Sequence, residues 1–374
     1  MPLHVAQINF FPAPVDLMPA DILQAWPSLV DIAEIAASAG TRVSVVQLAA
    51  HAQSFQRHGV DYHFVAGHNG NAADRIRRIA QLLGELKVDV VHVHSLGAAG
   101  DAYALSRELP QLPILLQDHA DRMPPRWRRL RWRRWYAAAA GVAFTAPELA
   151  RPYVTAGLLS SSQRLFVIPE STSRFTPGSR AQARTETGLH GDPCVVWVGH
   201  LQTGKDPLTV LDGIAAASTR LPGLQLWCAF GSAPLLAQVQ RRIDGDARLS
   251  GRVHLLGKVP HEQVQSLMRA ADIYVSGSHA ESCGYAVLEA LACGATPVVT
   301  NIPSFRALVG EVGELWPRGD AKALTSALLR SATLRPSPAE VRRHFDQSLS
   351  LQAVGRRWAD AYAQLHAGRR GGAA

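Results

Sequence analysis

Residues 272–300 read DIYVSGSHAESCGYAVLEALACGATPVVT. DIYVSGS (272–278) and TPVVT (296–300) have the β-branched, apolar character of strands, and the alanine- and leucine-rich stretch between them predicts a helix opening at Gly284. Strand, helix and strand in so short a span make a parallel crossover unit. Strands apolar almost throughout, without polar alternation, belong to a sheet covered on both faces. Two glutamates, Glu281 and Glu289, nonetheless sit in this apolar stretch on either side of Gly284. The plain reading is that acids are comfortable at the start of a helix. The competing one is a ligand role, because an unpaired buried carboxylate is costly.

The same alternation fills the chain. In the first half it gives HVAQINF (4–10), RVSVVQLA (42–49), VDVVHVHS (88–95), PILLQDH (113–119), GVAFTA (141–146) and LFVIPE (165–170). CVVWVGH (194–200), QLWCAFG (225–231) and RVHLLGK (252–258) precede the opening stretch in the second half. Helical patterns lie between, such as SLVDIAEIAASAG closing at Gly40 and PHEQVQSLMRAAD opening at Pro260. The polar, Gly/Pro/Ser/Thr-rich stretch 171–193 reads as a linker. The expected fold is therefore α/β: two Rossmann-like doubly wound domains facing one another across a cleft. The first covers residues 1–172, the second residues 173–350, and a C-terminal helix with a loose tail covers residues 351–374. Ligands in such sheets bind beyond the carboxyl ends of the strands.

Composition narrows the class. Of 374 residues 47% are hydrophobic and 18% charged, ordinary for a soluble globular chain. The net charge of +8 is concentrated: residues 122–134, RMPPRWRRLRWRR, hold seven arginines and no acid, leaving the rest near neutral. A single basic patch is a poor footprint for general nucleic-acid binding, which is not expected. Cys194, Cys228, Cys283 and Cys293 form no C-x-x-C pair and read as packed, reduced thiols of a cytoplasmic protein. The first basic residue other than histidine is Arg42, so no signal peptide is expected, and no apolar run reaches the ~20 residues of a membrane span.

Candidate site residues fall at strand ends. Gly199 closes one strand and is followed by a turn and Lys205. Gly284 opens a helix directly after another, so the N–H groups of Gly284, Tyr285 and Ala286 can face a phosphate, with Lys205 adding a cation. Glu281 and Glu289 can then accept hydrogen bonds from hydroxyl groups at the two ends of the same ligand. A nucleotide diphosphate sugar has that shape.

These segments, Glu281…Glu289 as E-x7-E within GSHAESCGYAVLEALACGATPVVT, with VGHLQTGKDPLTVL, FGSAPLL, AADIYVSGS, VDVVHVHS and VIPESTSRFTP, resemble the retaining glycosyltransferases of family four, which have the GT-B fold. The resemblance implies that Glu289 binds ribose, Glu281 the donor sugar and Lys205 the diphosphate. It implies that the last helix, 351–365, crosses back onto the first domain, and that His119 lies near donor sugar and acceptor. A histidine bonded to backbone is the alternative for His119. It also implies transfer with retained configuration onto a glycan or lipid-linked acceptor, as in polysaccharide or glycolipid assembly. No cofactor and no metal are expected beyond the donor.

The chain departs from the family pattern in two places. His200 stands where arginine is usual, which weakens leaving-group stabilisation or makes it depend on pH. NFFPAPVDLMPAD replaces the Gly-rich turn after the first strand. On the acceptor side, His94 at a strand end and Asp118 beside His119 are the candidates. Asp244-Gly245-Asp246 is formally a metal-binding D-x-D but reads as a turn. In the arginine segment, Trp132, Trp135, Tyr136 and Ala139 share a helical face that packs inward. Arg126–Arg134 with Trp127 would meet anionic lipid, placing the protein at the inner face of a membrane, or else an acidic acceptor. Two other functions fit the same fold: a nucleotide-sugar epimerase and a catalytically silent nucleotide-sugar-binding protein.

Overall fold

The computed structural model describes residues 2–67 and 71–371. It divides into two compact units, residues 1–171 with 351–374, and residues 172–350.

Unit 1 contains β1 (His4–Asn9), β2 (Arg42–Ala49), β3 (Gln53–Arg57), β4 (Val60–Ala66), β5 (Val90–His94), β6 (Ile114–Gln117), β7 (Gly141–Phe144) and β8 (Arg164–Val167). They form one sheet in the order β3-β4-β2-β1-β5-β6-β7-β8, parallel except for the β3–β4 pair. The β3–β4 hairpin escaped the sequence reading because QSFQR is polar and lies at an exposed edge. Two apolar layers cover the sheet. One includes Ile8, Val46, Val93 and Leu116, and the other Val5, Val45, Val90 and Leu115, as the period-two alternation of buried strands requires. The C-terminal helix Leu351–Gly371 belongs to this unit and packs on the helix Pro27–Ser38. Its Trp358 and Tyr362 are fully buried, and the Tyr362 hydroxyl meets His92 Nδ1 at 2.9 Å and accepts from the Gln7 amide at 3.2 Å. The stretch read as a tail thus continues the helix as far as Gly371, and residues 372–374 lie outside the described ones.

Unit 2 contains β9 (Cys194–Gly199), β10 (Gln225–Phe230), β11 (Val253–Gly257), β12 (Ile273–Ser276), β13 (Thr296–Thr300) and β14 (Glu314–Trp316), all parallel, in the order β11-β10-β9-β12-β13-β14. Strand order reverses between β9 and β12, as it does between β1 and β5 in unit 1. At such switch points the loops leave in opposite directions and open a crevice at the carboxyl edge.

From Thr172 onward, the stretch read as a linker is a structural part of unit 2. Ser179 caps the helix Arg180–Thr187, whose Arg180 and Arg184 reach the buried Asp272 at 2.9 and 2.7 Å. Arg335 and the Cys194 amide also donate to Asp272. So few apolar residues carry this helix that periodicity could not reveal it; Asp272 holds it through charge. Residues 244–246 form the expected turn, with Asp246 held by Arg242 and Arg248. All four cysteines are buried, and burial pushes Cys194, Cys228 and Cys293 up to about 12.

Candidate functional site

At the switch point of unit 2, the loops after β9 and β12 are tied together before any functional side chain is placed. The His279 amide donates to the Gly204 carbonyl at 2.9 Å, and its ring meets Asp206 at 3.1 Å. Asp206 also caps the helix Pro207–Ser218. The loops approach so closely that a Cβ on Gly277 would lie 3.0 Å from the Asp206 carbonyl. This staple sets Lys205 against Glu281, and the two form an ion pair.

Gly284 has φ +73°, and a Cβ there would lie 3.0 Å from Phe305 and 3.2 Å from Leu308. Glycine is therefore required both by backbone conformation and by space. It starts the helix Tyr285–Cys293, in whose first turn the Val287 amide bonds the Gly284 carbonyl at 3.0 Å and the Ala286 amide precedes any intrahelical acceptor. Glu289, inside that helix and almost buried, bonds His261 at 2.7 Å. His261 opens the helix that follows β11, is largely exposed, and rests against Phe175 at 5.0 Å between ring centroids. The sequence reading missed it, although its place just past the end of β11 was a usable signal. His200 accepts the Ser232 amide proton on Nδ1 at 3.1 Å, which leaves Nε2 to carry the proton and donate. Gly199, His200, Lys205, Glu281, Gly284, Tyr285, Ala286 and Glu289 all line one hollow of about 240 Å³. Every donor-side residue picked from the sequence is thus brought together.

Unit 1 has its own hollow at its switch point, about 470 Å³, with Asn9 and Phe11 from the end of β1 and His94 and Ser95 from the end of β5 on its wall. His119 joins them, its Nε2 3.2 Å from His94 Nδ1 and its Nδ1 2.6 Å from Glu170. Burial works against a charge on His119, but Glu170, by hydrogen bond and by charge, then Asp121 and Asp118, raise it above the usual imidazole range. The ring is therefore bonded to side chains, not to backbone. Burial presses His92 down to about 3 and His94 well below its ordinary value, so both are neutral. Asp118 lies in the turn after β6, accepts the Asp121 amide at 3.0 Å, and is pushed up to about 6 by burial. It does not line the hollow; Asp121, three residues on, does. A larger recess in unit 1, lined by Asp89, Pro113, Ala140 and Arg164, lies at the opposite, amino-terminal edge of the sheet, away from this chemistry.

Comparison with known proteins gives the following. Residues 28–170 match the family model described as Glycosyltransferase Family 4, and residues 192–333 the model described as Glycosyl transferases group 1. A D-inositol 3-phosphate glycosyltransferase of Nocardia farcinica is 32% identical over 230 residues, 57% of this chain and 46% of the relative. That of Mycolicibacterium smegmatis is 40% identical over 129 residues, 33% and 29% respectively. The chain thus spans less than half the length of the curated relatives it matches. Among solved structures, a glycosyltransferase from Rickettsia africae superposes with a TM-score of 0.75 at 13% identity, covering 97% of this chain and 98% of that one. Anabaena HepE in complex with UDP and glucose gives 0.69 at 16% identity, covering 97% and 100%. At these identities the structural likeness speaks for the fold, GT-B.

Proposed function

We propose that this chain, which belongs to the family-four glycosyltransferases, transfers a sugar from a nucleotide diphosphate donor to an acceptor hydroxyl with retention of configuration. The observation that carries the reading is the convergence in one hollow of the Gly284 helix start, Lys205, Glu281 and Glu289. Amides at a helix start and a lysine suit a diphosphate. Glu289 suits the ribose hydroxyls and Glu281 those of the sugar. HepE, on the same fold, binds UDP.

In the reaction the bond from the anomeric carbon to the donor phosphate breaks, and a bond to the acceptor oxygen forms. The acceptor proton passes to the departing phosphate oxygen. Positive charge grows on the sugar ring and negative charge on the phosphate. The first-turn amides, Lys205 and the Nε2–H of His200 stabilise the latter as preset donors. These fixed charges supply what a metal otherwise would, and the one D-x-D has its second carboxylate occupied by Arg242 and Arg248. Chelator should therefore leave turnover unchanged.

The acceptor we read as a glycan or glycolipid intermediate. Trp127 and Leu130, 76% and 86% exposed among the arginines, support contact with an anionic membrane surface. Among the described residues no helix is long and apolar enough to cross a membrane.

The test is consumption of a panel of nucleotide sugars, with anomeric configuration of the product read by NMR. Transfer with retention, abolished in Glu281→Ala, is the expected result. Donor conversion to another sugar without any acceptor would identify an epimerase instead. Nucleotide binding without turnover of any donor would identify a silent binder.

A further inference from the structure

The unit 1 hollow has a chemistry of its own. Its wall carries two aromatic rings open to solvent, Trp26, partly exposed, and Phe11, 52% exposed. Around them stand small polar groups. Asn9 takes the Phe11 amide on its carbonyl at 3.1 Å, which leaves its NH2 to donate, and Ser28 adds a hydroxyl. Among the described residues no lysine or arginine lines the hollow.

The place where an anion would bind is already filled. Ser95, with φ +73°, starts the short turn Leu96–Ala98 and arranges a nest of donors. Both oxygens of Asp121 sit in it: one accepts from the Ser95 hydroxyl at 2.5 Å and the Gly97 amide at 3.3 Å, the other from the Leu96 amide at 2.7 Å and the His119 amide at 3.1 Å. Among the described residues His119 is the one group at the wall that its neighbours favour as a cation, and it is matched by Glu170 at 2.6 Å. A phosphate entering here would meet a fixed carboxylate and find no spare cation. Like charges a few ångströms apart repel.

We infer that the hollow at the β1–β5 switch point accepts an uncharged, polyhydroxylated ring, a neutral sugar residue stacked on Trp26 and Phe11, and rejects a phosphorylated acceptor. A ring with one C–H face and hydroxyl edges matches aromatic faces bordered by amide and hydroxyl groups. The volume of about 470 Å³ falls within the usual range for small-ligand sites. The D-inositol 3-phosphate relatives are named for an anionic acceptor, so this chain would differ from them in acceptor charge. This inference rests on the transferase reading above.

The experiment uses the full chain and has two arms. Thermal stabilisation by UDP, GDP and other nucleoside diphosphates tests the donor hollow alone. Donor consumption is then followed with paired acceptors, methyl or alkyl glycosides and their phosphorylated counterparts, with inositol 3-phosphate included. Neutral glycosides should be used with kcat/KM at least about tenfold above their phosphates, and Trp26→Ala should raise the acceptor KM about tenfold while Trp26→Phe largely restores it. With transfer to some acceptor observed, three results overturn the inference alone: preference for a phosphorylated acceptor, no response to any neutral glycoside, or an acceptor KM that Trp26→Ala does not move. Nucleotide binding without turnover of any donor overturns the transferase reading as well. No binding of any nucleoside diphosphate overturns the transferase reading and the inference with it.

Discussion

Lys205 and Glu281 pair with each other, both only partly exposed, so a diphosphate that engages the lysine trades one anion for another. Glu281→Gln removes the competitor. Affinity for a nucleoside diphosphate should then rise by about three- to tenfold, while sugar transfer falls because the sugar hydroxyls meet a neutral amide in place of a charged carboxylate. Isothermal titration and initial rates on the same variant separate the two effects. In unit 1 the titration of Asp118 sets a pH dependence. Its carboxyl is raised to about 6 in the folded chain, so the folded state binds the extra proton between the ordinary carboxylate value and pH 6. Stability is then complete below about pH 4 and is lost as pH rises through about 6, by up to about 3 kcal/mol. His119 acts in the same direction. Its folded pKa lies above the ordinary one, so its contribution is complete below about 6.5 and is lost as pH rises through the raised value. Asp118→Asn should flatten the lower part of the profile and Glu170→Gln the upper part, read from urea midpoints between pH 4 and 8.

At the scale of elements, the helix Tyr285–Cys293 is positioned by its first residue. Gly284→Ala places a Cβ at φ +73° against Phe305 and Leu308; about 1–2 kcal/mol of stability and most nucleotide affinity should go, by urea unfolding and titration. Asp272 plays the comparable part for the helix Arg180–Thr187. With its three arginines and the Cys194 amide left unmatched, Asp272→Ala should cost about 3–5 kcal/mol. These two elements also mark what was legible in the sequence. The first was plain, because an apolar strand, a glycine and an alanine-rich helix follow one another along the chain. The second was hidden, because it is held by charges from residues about ninety positions away, and local composition looked like a linker. His261 and Glu170 each stood at a strand end, a usable signal, but which carboxylate or imidazole each one meets comes from residues that folding brings to it. The β3–β4 hairpin was lost because an exposed edge strand need not be apolar.

For the molecule as a whole, two sheets with reversed strand order each open a hollow at the switch point, and the residues proposed for sugar transfer line those hollows. Charge is distributed differently: it is gathered in residues 122–134, with Trp132 and Trp135 packed inward and Trp127 and Leu130 outward. That arrangement predicts co-sedimentation with phosphatidylglycerol vesicles that weakens from 50 to 500 mM salt, is absent with phosphatidylcholine alone, and is lost when Arg126, Arg128 and Arg131 are replaced by glutamate. The central claim, however, concerns the unit 2 hollow: main-chain amides and one lysine grip a diphosphate there. Its most direct measurement is calorimetric affinity for a nucleoside, its monophosphate and its diphosphate, in wild type and Lys205→Ala. The account predicts stepwise tightening with each phosphate in the wild type, and a loss of about tenfold in the variant confined to the diphosphate. Equal affinity for all three ligands, or a variant that binds the diphosphate as the wild type does, would contradict it.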